Sequence, residues 1–205
     1  MTKWLSMVLA GTLLTACAGN VRTADPVRYD FGALAVSEAA AEPELRLPLA
    51  TVEVHTASWL AGPAMHFRLA YAEPLRRQTY AESRWAASPG ELLEAFLKRR
   101  LVFGQRDSGA AGCRLQLTLD ELEQRFDDPQ RSRMVLEVRA VLTPLHGSEI
   151  LSRRVFLIGK PAATANAGAG AAATREVVLA LAADLGVWLG DVAREKPAMV
   201  ERCRT

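Results

Sequence analysis

The sequence has little of what marks several large functional classes. Its 205 residues include three cysteines, three histidines and 6% aromatic side chains, and 25 basic residues stand against 23 acidic ones. A formal net charge of +2 excludes a strongly electrostatic nucleic-acid binder, since such proteins carry a basic excess. Sequence motifs for a nucleophile elbow, a phosphate-binding loop, a dinucleotide site and a CxxC metal or redox site are all missing. The sequence therefore predicts no enzyme activity, no cofactor and no metal site.

No apolar run is long enough to cross a membrane, but a short one lies at the amino terminus. Lys3 precedes the uncharged segment 4–14, which is shorter than the roughly 18 residues a spanning helix needs and has the size of a signal-peptide core. It ends in Leu14-Thr15-Ala16-Cys17, which resembles the bacterial lipobox. In such signals the cysteine is acylated, with palmitate for example, and becomes the first mature residue. The alternative is an ordinary signal peptide with a stray cysteine.

This resemblance sets the expected domain boundaries. Residues 1–16 are a lipoprotein signal peptide, 17–26 a lipidated amino terminus and tether, and 27–205 a periplasmic domain. Two or more acyl chains would hold such a protein on a membrane, because each buried methylene contributes about 0.8 kcal/mol. By resemblance to enterobacterial sorting, Ala18 in place of aspartate indicates the periplasmic face of the outer membrane.

Two cysteines remain in the mature chain. Because the periplasm is oxidising, Cys113 and Cys203 are predicted to form a disulfide. Two buried free thiols are the alternative. The three histidines are not at ligand spacing with either cysteine, which argues against a metal site.

Alternating apolar residues predict strands before and after a helix. Interrupted alternation predicts bulges near 48–51 and at Asp120-Glu121, because a slip of one residue exchanges the two faces of a strand. Ser88 and Glu91 predict a helix start with a capping box, and a stripe from Val178 to Val192 predicts a second helix. Between the last strand and that helix, the low-complexity segment 161–173 is expected to be a flexible loop that can become helical at its end. The fold prediction is α+β, a mainly antiparallel sheet with two helices packed on one face.

The segment from Trp59 to Trp85 carries a family resemblance. Together with Tyr29-Asp30-Phe31, 123–127 and 187–189, it resembles the ABC-type transport auxiliary lipoproteins, the PqiC-like outer-membrane lipoproteins. The resemblance implies a non-enzymatic accessory of an MCE-type lipid-transport system. The implied partner is a periplasmic MCE protein, which carries lipid between the inner and outer membranes. A ring-shaped partner would offer repeated sites, so a homo-oligomer is expected.

Two groups of residues are candidates for partner binding. Trp59 and Leu60 lie in a Gly-Pro turn, where an exposed apolar pair would anchor a partner. Tyr80, Arg84 and Trp85 are candidates for the rim of a groove. The alternative for the aromatic residues is core packing. Two other functions stay open, a periplasmic hydrolase and an envelope-assembly or peptidoglycan-binding lipoprotein.

Overall fold

A seven-stranded sheet with helices packed against it forms the part of the chain that the computed structural model describes, residues 25–33, 47–102 and 112–203. The strands are β1 Val27–Tyr29, β2 Leu49–Thr56, β3 Ala64–Leu69, β4 Gln78–Trp85, β5 Cys113–Phe126, β6 Ser132–Pro144 and β7 Ser152–Pro161. The α-helices are α1 Pro89–Leu97, α2 Ala167–Glu195 and α3 Pro197–Arg202, with a π-helical turn at Lys98–Val102 and a 3-10 turn at Ser58–Leu60. None of the described helices is long and apolar enough to cross a membrane. The predicted lipid attachment at Cys17 lies outside these residues.

The sheet is mixed, so the prediction of a mainly antiparallel sheet was wrong. Neighbouring strands lie in the order β1-β4-β3-β5-β6-β7, and β2 also pairs with β5. Three pairs are antiparallel, β3 with β4, β5 with β6 and β6 with β7. The other three, β1 with β4, β2 with β5 and β3 with β5, are parallel. Alternation in the sequence marks the strands but not their directions, which depend on how the connections return the chain.

β2 and β3 lie end to end along the same side of β5. The register pairs Thr56 with Leu119 at the end of β2 and Phe67 with Gln124 in the second half of β3. Opposite this interruption β5 has a bulge between Leu119 and Glu121, as the sequence predicted. The second predicted bulge is also present, between Leu49 and Thr51. The two short strands therefore act as one long strand that is broken where β5 bends.

The predicted capping box starts α1. The Ser88 hydroxyl accepts from the Glu91 amide, and the Glu91 carboxylate accepts from the Ser88 amide, both at 3.3 Å. This arrangement satisfies two amides that a helix start otherwise leaves unpaired. The apolar face of α1 is buried against β2 through Leu93, Phe96 and Leu97.

The long helix α2 covers β6 and β7. It begins at Ala167, so the segment 161–173 does become helical at its end, over a longer stretch than the predicted flexible loop suggested. The Asn166 side chain caps it by accepting from the Ala169 amide at 2.9 Å. Val178, Leu181, Leu185 and other residues of its predicted stripe are buried in the same core as α1.

A disulfide joins Cys113 and Cys203, the pairing that the sequence predicted. Their Cα atoms are 4.8 Å apart, and both side chains are buried. The bond attaches the carboxyl-terminal helix α3 to the start of the central strand β5.

Candidate interaction surface

The 3-10 turn between β2 and β3 contains two adjacent residues whose side chains differ sharply in exposure. Trp59 is 52% exposed, whereas Leu60 is completely buried in the core. Both belong to the 3-10 turn, whose tight winding points consecutive side chains in different directions. The structure therefore corrects the prediction of an exposed pair, because only Trp59 is available to a partner.

Neighbouring side chains hold the exposed indole in place. The Arg77 guanidinium lies over the Trp59 ring, 5.5 Å from its centroid. Arg77 also donates two hydrogen bonds to the Glu121 carboxylate, at 2.6 and 2.7 Å. The Trp59 carbonyl lies 2.9 Å from His66 Nε2, which donates to it. The side chain that a partner would contact is thus already ordered.

A second carboxylate on β5 lies beside this cluster. Glu123 is completely buried, and its oxygens accept from Arg68 Nε at 3.0 and 3.1 Å and from Arg125 Nη2 at 2.9 Å. Burial raises the pKa of Glu123, but the hydrogen bonds from the two arginines outweigh it and lower the pKa overall. Arg68 also donates to the Pro74 carbonyl at 3.0 Å, which ties the β3–β4 connection to the sheet.

The environment of His66 lowers its pKa. Burial is the main reason that its pKa is lowered, and the positive charge of Arg77 lowers it further. Its Nδ1 atom is buried and has no hydrogen-bond partner. Protonation would place an N–H group there with no acceptor, which agrees with the direction of the shift.

The remaining predicted residues lie in two different settings. Trp85 is 1% exposed and packs edge-on against Phe31 at 5.5 Å, so it belongs to the core and not to a rim. Tyr80 is half-buried, and its hydroxyl donates to Gln124 at 2.9 Å. Burial raises the pKa of Tyr80 to about 12. Arg84 is half-buried and donates to the carbonyls of Tyr80 and Ser83. Within the part of the chain that the structure describes, neither Tyr80 nor Arg84 forms a hydrogen bond or ring contact with Trp59, Arg77 or Glu121.

The sequence did not single out the ion pairs that position Trp59. In the sequence Arg68 lies between Phe67 and Leu69, and Glu121 and Glu123 flank Leu122, which is also the pattern of an ordinary solvated face. Their pairing depends on the parallel placement of β3 beside β5, which no local signal reveals.

This surface is suited to recognition. A large aromatic side chain, half exposed and held by a cation and a backbone contact, loses little freedom when a partner covers it.

Within 25–33, 47–102 and 112–203, no three His, Cys, Asp or Glu residues are grouped to hold a metal ion.

A groove of about 780 Å³ lies at another end of the sheet, beside β7. Its walls come from the β5–β6 turn and the end of β7, and they include Arg125, Arg133, Val135, Leu157 and Lys160. Arg125 is bound to Glu123, and Arg133 lies 3.4 Å from Asp127. No carboxylate among the described residues forms an ion pair with Lys160.

Comparisons with known proteins find similar folds but no named function. The chain resembles the crystal structure of protein XCC0632 from Xanthomonas campestris, of family DUF330, with a TM-score of 0.71 and 17% identity over 84% of this chain and 99% of that one. It also resembles an uncharacterized protein, with a TM-score of 0.61 and 15% identity over 81% of this chain and 99% of that one. No family model and no curated protein matches the sequence. At these identities the similarity shows the fold alone.

Proposed function

We propose that this protein is a non-enzymatic lipoprotein accessory of an MCE-type ABC system for lipid transport between the inner and outer membranes. In this proposal Cys17 anchors it to the periplasmic face of the outer membrane. The domain acts by binding the periplasmic MCE protein, and it does so as a homo-oligomer.

The single observation that carries the binding role is the ordered, exposed indole of Trp59. It is fixed by Arg77 and by the turn between β2 and β3, and it lies within the segment that carries the family resemblance. Aromatic side chains of this kind dominate the binding energy of many protein interfaces.

The link to lipid transport comes from the sequence. The lipobox and the segment from Trp59 to Trp85 both support it. The PqiC-like lipoproteins are the DUF330 family, so the fold shared with XCC0632 agrees with the resemblance.

The test compares Trp59→Ala with Val187→Ala, which removes a side chain 60% exposed on α2. Tagged protein is isolated from membranes and scored for the MCE protein, and affinity is then measured with the purified partner. Loss of a central aromatic anchor costs about 2 kcal/mol, so we expect Trp59→Ala to bind about thirtyfold more weakly. Unchanged affinity for Trp59→Ala, with normal folding, would move the recognition surface elsewhere.

Two further variants separate folding and anchoring from binding. Leu60→Ala empties a fully buried position and is expected to lower the free energy of unfolding by about 2–5 kcal/mol, measured by urea denaturation. Cys17→Ser is expected to move the protein from the outer membrane to the soluble periplasmic fraction. An acylated Cys17→Ser protein in the outer membrane would contradict the anchor.

A further inference from the structure

β7 is a long strand at the edge of the sheet. Its ten residues pair with β6 on one side, and no other described strand pairs with it. The register with β6 runs without a bulge from Ser152 to Pro161. An edge of this length presents a row of unpaired backbone groups to which another strand can bind.

One hydrogen bond shows which backbone groups face outward. The Ala162 amide donates to the Ser132 carbonyl at 2.9 Å, and the register continues so that these residues are directly opposite each other. In an antiparallel pair, residues that bond directly across alternate with residues whose amides and carbonyls point away. Even-numbered residues of β7 therefore face β6, and Val155, Leu157 and Gly159 face the open edge. Pro161 agrees with this alternation, because proline is tolerated in a strand where no ladder donor is needed.

The side chains at the centre of this edge are apolar and exposed. Val155 is 60% exposed and Leu157 is 71% exposed. Natural edge strands are usually protected by a central lysine or proline, by a bulge or by short length. The centre of β7 has none of these, and its charges are confined to the two ends.

Those charges are all positive. Arg153, Arg154 and Lys160 have no ion pair among the described residues, and β7 contains no acidic residue. Antiparallel pairing with a second copy would bring Arg153 and Arg154 of one copy to the Lys160 end of the other. Like charges across strands are destabilising, so the charge pattern disfavours self-pairing and favours an acidic segment.

We infer that the open edge of β7 binds an extended, acidic segment of a protein partner, which adds to the sheet as an eighth strand. Backbone hydrogen bonds to Val155, Leu157 and Gly159 supply affinity, and the basic ends select acidic residues. The groove beside Leu157 and Lys160 gives room for the side chains of the added strand. This surface is separate from Trp59, and the inference does not depend on which protein supplies the segment.

Hydrogen exchange of the intact domain tests the inference. The probe is a short synthetic peptide with a Val-Thr-Val-Thr centre and two glutamates at each end. In the free protein, we expect slow exchange at Phe156 and Ile158 and fast exchange at Val155 and Leu157. The peptide should slow exchange at Val155 and Leu157 at least tenfold. A fully N-methylated peptide, which lacks backbone donors, should have no effect, and a lysine-ended peptide should bind at least tenfold more weakly.

Two variants complete the test. Leu157→Lys places a charge in the centre of the edge and should abolish peptide binding, whereas Val187→Lys, on α2, should leave it unchanged. Slow exchange at Val155 and Leu157 in the free protein would overturn the inference, since the edge would already be covered. Self-association that Leu157→Lys removes would overturn it in favour of pairing between copies. Equal binding of the N-methylated peptide would exclude strand addition, whatever the result with the MCE protein.

Discussion

His66 donates to the turn that carries Trp59, and burial favours its neutral form. Its Nε2 donates to the Trp59 carbonyl, while its Nδ1 is buried without a partner. Because the pKa is lowered in the folded protein, the unfolded chain binds the proton more tightly. Stability contributed by neutral His66 is present above the unfolded pKa of about 6.5 and is lost as the pH falls below it.

We therefore predict that His66→Gln reduces the dependence of stability on acidity. Glutamine keeps an N–H donor for the Trp59 carbonyl and does not titrate. Between about pH 7.5 and pH 5, the urea midpoint of the unmodified protein should fall more steeply than that of the variant. His55 and His146 are the same in both proteins, so a difference between the two pH profiles comes from position 66. Parallel profiles would contradict the role assigned to His66.

At this scale the sequence predicted which residues are apolar but not where they point. Trp59 and Leu60 look alike in a Gly-Pro turn, yet one is half exposed and the other is in the core. Trp85 likewise ends a strand whose centre is exposed and is itself buried against Phe31. Side-chain direction in an irregular turn depends on contacts that are distant in sequence.

The start of α2 shows how tertiary contacts change a local preference. The glycine- and alanine-rich start of α2 was expected to be a flexible loop with a helical end, because the segment is small and low in complexity. A side chain at Gly170 would place its Cβ 2.1 Å from Gln124 Oε1, so the helix approaches β5 more closely than any larger residue permits. Gln124 lies on the inner face and bonds to Ser132 and to the Asn166 carbonyl.

Two glycines of the same helix should respond in opposite ways to alanine. Gly170→Ala is expected to lower the free energy of unfolding by about 1–3 kcal/mol, because Gln124 must leave its hydrogen bonds. Gly186 has nothing within 4 Å of its Cβ position, so Gly186→Ala is expected to raise it by about 0.5–1 kcal/mol. Denaturant melts of both variants check the pair, and a stabilising Gly170→Ala would show that the helix start is loosely packed.

The elements themselves were largely predictable, and their arrangement was not. Alternation located both bulges, and Ser88 with Glu91 located the start of α1. The parallel pairing of β2 and β3 with β5 involves residues more than fifty positions apart, which short-range patterns do not encode. The ion pairs around Trp59 depend on that pairing and were missed for the same reason.

At the scale of the whole molecule, the disulfide between Cys113 and Cys203 links the carboxyl-terminal helix α3 to the start of β5. It spans 90 residues, and the chain-entropy model gives about 4–5 kcal/mol for a loop of that size, an upper figure. A Cys113→Ala, Cys203→Ala protein should unfold at lower urea concentration than the oxidised protein. Adding reductant should lower the midpoint of the unmodified protein and leave that of the double variant unchanged. An identical midpoint for oxidised and reduced protein would mean that the bond adds no stability.

The break between β2 and β3 also bears on how this protein can change over time. Each strand is held to β5 by its own register, β2 as far as Thr56 and β3 from Phe67. A residue gained or lost at the exposed stretch Ala61-Gly62-Pro63 therefore shifts neither ladder, whereas the same change inside an unbroken strand would turn every following side chain to the opposite face. The part of the molecule that presents Trp59 is free to lengthen, shorten or diversify to suit a new partner while the sheet behind it stays the same.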